Sequence, residues 1–184
     1  MSNQEKQEIL FGAGDIYIVP SQIDVDSATE EEIEASLIKI GESSGESTLN
    51  FTQNFVDVRG GALNQEIASF MTSEEATFNA GIVTFDLQKI SAISSAYYSE
   101  TDEKRVLGLG GQQTVPINHL RFVHTKRTDG MKLYLDMFRA QNRSGLQMTF
   151  NPESESVFNF EFKLLADPKR NNGNIVRITE EVSP

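Results

Sequence analysis

The sequence predicts a mainly β (α+β) fold: a β-sandwich or partly closed barrel with one flanking helix, at about residues 86–98, and a long loop between two early strands. Three observations predict it. Short runs rich in β-branched and aromatic residues alternate polar and apolar at period two. Clusters of Gly, Asn, Asp and Pro separate those runs. One stretch switches clearly to helical period. A length of 184 residues suits one domain over the whole chain, 1–184, with the ends at 1–10 and 179–184 expected to be mobile.

In chain order, "DIYIV" at Asp15 to Val19 lies between Gly14 and Pro20 and reads as a first strand. Ser27 followed three residues later by Glu30 is a capping-box pattern, and Ile33 and Leu37 stand four apart. A short helix and a solvated acidic loop both fit this stretch. From Ser47 the chain alternates, with Leu49 and Phe51 on one face and Thr48, Asn50 and Thr52 on the other, as in a half-buried antiparallel strand. Its polar row is neutral and small, suited to solvent or to a wet channel. Gly60 and Gly61 break the pattern, and a strand resumes over Phe70 to Phe85.

Asp86 is an N-cap candidate for a helix whose face carries Leu87, Ile90, Ile93 or Ser94, and Tyr97. Residues 99–116 are polar and glycine-rich, a surface excursion. Strand patterns come next at "NHLRFVHTKR", "MKLYLDMFRA", "GLQMTF" and "SVFNFEFKLLAD", with Asp129 and Gly130 as a hairpin turn. In the last of these, Phe158, Phe160, Phe162 and Leu164 are expected inward. "IVRI" makes a final short strand.

Composition excludes several functions. There is no cysteine, hence no disulfide framework and no thiolate metal site. The two histidines, His119 and His124, fall on opposite faces of a strand, so no metal is expected. "GESSG" places Ser43 in a Gly-x-Ser-x-Gly pattern, but the residues after Gly45 are strand-like where a nucleophile elbow needs a helix. No cofactor is expected, and the chain reads as no enzyme. No run approaches a membrane span, and the start lacks a basic segment leading into an apolar one, so synthesis and folding in a cytoplasm are expected.

A net charge of −11 argues against specific binding of nucleic acid. The charge is unevenly placed: residues 1–103 hold 4 Lys/Arg against 19 Asp/Glu, and residues 104–184 hold 12 against 8. Either the halves attract between copies, head to tail, or they interleave within one fold.

The stretches "LIKIGESSGESTLNFTQNFVDV", "EEATFNAGIVTFDLQKIS" and "VFNFEFKLLADP" resemble, in type and order, the tail tube (major tail) proteins of long-tailed bacteriophages. The resemblance runs from about Gly14 to Arg177. It implies a subunit of hexameric rings stacked as a hollow tube around a tape-measure protein, with other tail-end proteins as partners and phage DNA passing through without specific binding. The setting would be a virion tail assembled in bacterial cytoplasm. The same resemblance makes Gln53 to Glu66 a docking loop, mobile in the free subunit, with Phe55, Val56 and Val58 as apolar anchors, Gly60 and Gly61 as its bend, and Arg59 and Leu63 among its docking residues. Thr48, Asn50, Thr52, Asn159 and Glu161 become candidates for the channel lining. The acidic stretch Asp24 to Glu34 and residues 99–113 have no place in that family core. Alternatives are a carbohydrate-binding or adhesin-like sandwich, and another ring of the same tail, such as a terminator or baseplate protein.

Overall fold

The computed structural model describes residues 13–148, 150, 152–153 and 156–182. The N-terminal segment expected to be mobile lies outside them. The other end is corrected: Thr179 and Glu180 complete a strand, and only residues 183–184 fall outside the description.

The described residues form a mainly β fold with two short helices. In chain order the elements are β1 (Gly14–Val19), α1 (Glu30–Ser36), β2 (Ile38–Gly41), β3 (Ser43–Gly60), β4 (Gln65–Ile82), α2 (Leu87–Ile93), β5 (Ala96–Glu100), β6 (Arg105–Leu109), β7 (Ile117–Thr125), β8 (Lys132–Asn142), β9 (Phe158–Leu164) and β10 (Val176–Glu180). One antiparallel sheet runs β2-β1-β7-β8-β9-β4-β3, and β10 also pairs with β8. The sheet folds over on itself at β8, whose first half pairs with β10 and whose end pairs with β9. Its two terminal strands, β2 and β3, are joined only through Glu42, so the chain turns a corner there and brings the ends together. Gly41 permits that corner: a Cβ on it would lie 2.3 Å from Ile82 Cγ2 and 2.6 Å from Thr84 Oγ1. The architecture is therefore a sandwich partly closed as a barrel.

The core fills the interior of this fold. Phe78, Ala80 and Ile82 of β4 meet Phe158, Phe160, Phe162 and Leu164 of β9, with Leu120 and Met137 beneath them. The β9 phenylalanines point inward as their alternation predicts, each at most 4% exposed. A bulge in β8, where Met137 to Ala140 take three steps against two from Leu120 to Asn118 of β7, keeps both Met137 and Ala140 in the core.

Several boundaries differ from the sequence reading. The second helix ends at Ile93, because the serines at 94 and 95 and the strand-forming Tyr97 and Tyr98 come next; the tyrosines pair instead with Gly108 and Leu107. Residues 99–116 thus begin as a β5–β6 hairpin. The first helix is present, but its capping box is Thr29 with Glu32: Glu32 N–H donates to Thr29 Oγ1 (3.3 Å) and Thr29 N–H to Glu32 Oε2 (2.9 Å). Ser27 bonds back to Asp24 instead. "GLQMTF" forms no strand in its described residues, contributing only a bridge from Gln147 to Asn159. Between β7 and β8, Gly130 alone takes positive φ (76°), within a loop closed by Lys126 N–H to Met131 O.

The acidic stretch gains a place. Arg121 and Asp136, 1% and 0% exposed, lie on the outer face of β7 and β8. Glu30 reaches Arg121 at 2.6 Å, Asp26 pairs with Arg170 and Arg177, and Glu34 pairs with Lys132. Front-half acids are thus taken up by back-half cations within one chain, which is the interleaved arrangement. Arg170 also stacks on Phe138, 4.0 Å from the ring centre. The Tyr134 hydroxyl sits between Glu181 (2.7 Å) and Glu34 (2.9 Å); burial, with those two carboxylates, raises its pKa.

Candidate functional site

The expected docking loop is not a loop. Its residues complete an unbroken hairpin: β3 and β4 pair from Ser47↔Ala80 out to Gly60↔Gln65, and Gly61 (φ 80°) and Asn64 (φ 51°) make the turn, closed by Asn64 N–H to Gly61 O at 3.1 Å. Gly60 ends the strand and Gly61 makes the bend. The sequence suggested a loop because Gln53 to Asn54 and Glu74 to Glu75 are polar on both faces, which hides the period.

The β4–β9 pairing stops at Ala76↔Leu164. Beyond it the hairpin stands free of the sheet for roughly 35 Å, at the usual rise per residue. Every residue from Phe51 to Glu75 is exposed except Gly60 and Ala68, which are half-buried. Two bulges in β4, at Ile67 and Thr72, bend the arm. Side-chain bonds between its strands supplement the ladder: Gln53 to Glu74 at 3.0 Å, Asn54 to Ser73 at 2.9 Å, and Ser69 to Asp57 at 2.7 Å.

Toward the tip both faces turn apolar. Phe55 pairs with Met71 on one face, and Val56 with Phe70 and Val58 with Ala68 on the other; Ile67 and Leu63 are 67% and 80% exposed. The anchors expected from the sequence, Phe55, Val56 and Val58, are all on the surface of this arm, as is the expected docking-loop residue Leu63. Ile67, Phe70 and Met71 were missed, although they stand on the returning strand opposite the others. Arg59 is in register with Glu66.

The five candidates for a channel lining share one polar sheet face. Thr48 stands opposite Asn79, which stands opposite Glu161; Asn159 faces Gly81, Asn50 faces Thr77, and Thr52 faces Glu75. Lys163 on the same face bonds Glu75 at 2.8 Å, holding that carboxyl below its ordinary range. The face is hollowed into a cleft of about 370 Å³ lined by Ser44, Glu46, Thr48, Asn79, Asn159 and Glu161. Gly81 floors it, because a Cβ there would lie 2.3 Å from Ser44 Oγ and 2.9 Å from Val157 Cγ1. Glu46, Asn79 and Gln147 join this face without having been singled out; the alternation of β4 was the available signal for Asn79.

A second opening lies on the core-facing side of the arm's base. Leu49 and Phe51 of β3 face Ile175, Val176 and Ile178 across an apolar groove of about 370 Å³, with Glu74 at its edge. Phe51 and Ile178 are 48% and 60% exposed. Among the described residues neither β3 nor β10 has a strand on its outer side, so the core opens to the surface between them.

Of the expected catalytic negatives, Ser43 lies at the start of β3, opposite Ile82, away from any strand-to-helix turn. His119 approaches Asp136 at 3.2 Å, and His124 Nδ1 lies 2.9 Å from the Ala13 carbonyl on the other side of the strand. Among the described residues no group of His, Asp and Glu is arranged to hold a metal ion, and no helix is long and apolar enough to cross a membrane. No protein-family model matches the chain, and no curated protein matches it either.

Proposed function

We propose that this chain is a structural subunit that assembles with copies of itself into rings, hexameric by the family resemblance, stacked as a hollow phage tail tube. The observation that carries the reading is the free-standing β3–β4 arm. An isolated hairpin is only marginally stable in water, and natural proteins avoid long exposed edge strands. An arm with apolar side chains on both faces therefore makes sense when a partner covers it. The chain exposes 12353 Å², against about 8,900 Å² for a compact monomer of this mass, and the arm is one source of the surplus.

In this reading the polar face of β3, β4 and β9 lines the channel. Its Thr, Asn and Glu side chains offer phosphate no cluster of cations, so DNA passes without being held. A tape-measure protein occupies the channel before the genome does, other tail proteins cap the tube, and the role is mechanical rather than enzymatic. The polar cleft favours a second reading, a binding module of a tail or adhesin.

Negative-stain electron microscopy of the purified chain, fresh and after concentration, tests the proposal. Stacked rings or hollow tubes are expected. Small compact particles at every concentration, with a monomeric mass in sedimentation, would overturn it in favour of the binding module.

A further inference from the structure

The acidic stretch between β1 and β2 is attached to the sheet by side chains. Residues 20–37 carry six carboxylates, from Asp24 to Glu34, and no Lys or Arg. Their backbone hydrogen bonds stay within the stretch, as in Ala28 N–H to Asp24 O and Ile33 N–H to Thr29 O, and among the described residues no backbone pairing joins them to a strand. Five side-chain hydrogen bonds reach the stretch from the rest of the chain: from Arg121 to Glu30, from Lys132 and Tyr134 to Glu34, and from Arg170 and Arg177 to Asp26. Val25 and Ile33 pack on Val19 and Phe138 in an apolar cluster separate from the main core.

We propose that residues 20–37 form a strap that opens as one unit while the sheet stays folded, and that its latch is electrostatic, so that ionic strength sets the fraction open. A segment opens locally when few buried apolar contacts and no shared backbone ladder hold it. The strap meets both conditions: its cluster has four buried members, and its seven-residue helix is too short to persist alone. The latch carboxylates sit at the rim. The side chains of Asp26, Glu30 and Glu34 are between 35% and 46% exposed, so dissolved salt screens their pairing. Opening bares Phe138, over which Arg170 and Arg177 stand at 4.0 and 5.3 Å, together with Arg121, 1% exposed when the strap is closed. The closed strap presents acids to solvent, whereas the open one uncovers a cationic, aromatic face. Neither the β3–β4 arm nor the polar cleft takes part, so the device stands apart from the tube reading.

With no cysteine in the sequence, a single introduced thiol reports the opening. Val25→Cys lies in the strap's cluster, 7% exposed, and Ala140→Cys in the main core, 2% exposed. Under native conditions a thiol reagent should label Val25→Cys faster than Ala140→Cys. Raising NaCl from about 0.01 M to about 1 M shortens the screening length from about 30 Å to about 3 Å. That change should speed Val25→Cys roughly tenfold, with the Ala140→Cys rate and the circular dichroism spectrum unchanged. Adding Asp26→Asn and Glu30→Gln should give Val25→Cys the fast rate already at low salt. Hydrogen exchange of the unsubstituted chain supplies a second readout: amides of α1 should lose protection with salt while those of β7 and β8 keep it. Equal labelling rates at every salt concentration, with α1 as protected as β7, would show that the stretch opens only with the whole fold. Fast labelling indifferent to salt and to the carboxamide substitutions would show that no ionic latch holds it. Either result overturns the proposal.

Discussion

The Arg121 guanidinium grips both carboxylate oxygens of Asp136, Nε to Oδ1 at 2.7 Å and Nη2 to Oδ2 at 2.8 Å, and neither side chain is more than 1% exposed. Two strands, β7 and β8, are pinned across this pair, and α1 is drawn onto it through Glu30. Burial on its own would raise the Asp136 carboxyl, but hydrogen bonds from His119 and Arg121 outweigh it and hold the group below its ordinary range. Removing one partner strands the other charge in a dry site.

Arg121→Met should therefore destabilise the fold by about 3–5 kcal/mol, and Asp136→Leu similarly. The double variant should recover much of the loss, since an apolar pair leaves neither buried charge unpaired, and Glu30, its side chain 45% exposed, can turn to solvent. Urea unfolding of the four proteins measures this; a double variant as unstable as the sum of the singles would contradict it.

Acid should weaken the fold in a defined window. Asp136, Glu34 and Glu181 all have lowered carboxyl pKa values: for Glu34 the chief cause is the hydrogen bond from Lys132, and for Glu181 the bond from Tyr134. A depressed folded pKa contributes stability that is complete above the unfolded values, near 3.8 for Asp and 4.5 for Glu, and is lost as pH falls through the lower folded values. Melting temperature should stay level down to about pH 5 and then drop. Glu34→Gln should show a shallower drop, and an unchanged acid limb would remove Glu34 from the account.

On the arm, Phe55→Asp should leave stability within about 0.5 kcal/mol of wild type, because the side chain is 55% exposed, while abolishing self-assembly. Deleting residues 62–64 should do the same. Sedimentation velocity beside a thermal melt separates the two effects. Normal tubes from both variants would mean that the arm is not a joint.

At the cleft floor, Gly81→Ala should cost about 1–3 kcal/mol through overpacking against Ser44 and Val157. Ser44→Ala added to it should restore part of that, because it removes the nearest atom. Equal stability of the single and double variants would show that Val157 carries the whole clash.

For the channel face, Glu161→Lys together with Asn159→Lys should let assembled tubes retain fluorescent single-stranded DNA at low salt, where wild-type tubes retain none. Retention should fade as salt rises. Equal retention by the wild type would remove this face from the lumen.

How much of this was legible in the sequence varies by element. The β9 phenylalanines and the polar row from Thr48 were readable because alternation reports directly on which face is buried, and the first strand because Gly14 and Pro20 bound a β-branched and aromatic run. The arm was misread for a physical reason: a strand with no core on either side has no burial to impose a period, and the polar pairs Gln53 with Glu74 and Asn54 with Ser73 look like loop. The acidic stretch was equally opaque, since Asp26, Glu30 and Glu34 find Arg177, Arg121 and Lys132 only after folding. The groove could not be foreseen, because Leu49 and Ile178 are distant in sequence and meet only across the gap in the sandwich.

The late position of β9 and β10 sets an order of events during synthesis. The arm's strands leave the ribosome early and can pair with each other, but β4 completes its pairing with β9 only once Leu164 has emerged, a wait of roughly 4 to 18 s at ordinary translation rates. The groove needs Ile175 to Ile178 and comes later still. A growing chain therefore exposes the arm's apolar side chains before the groove beside the arm's base has formed.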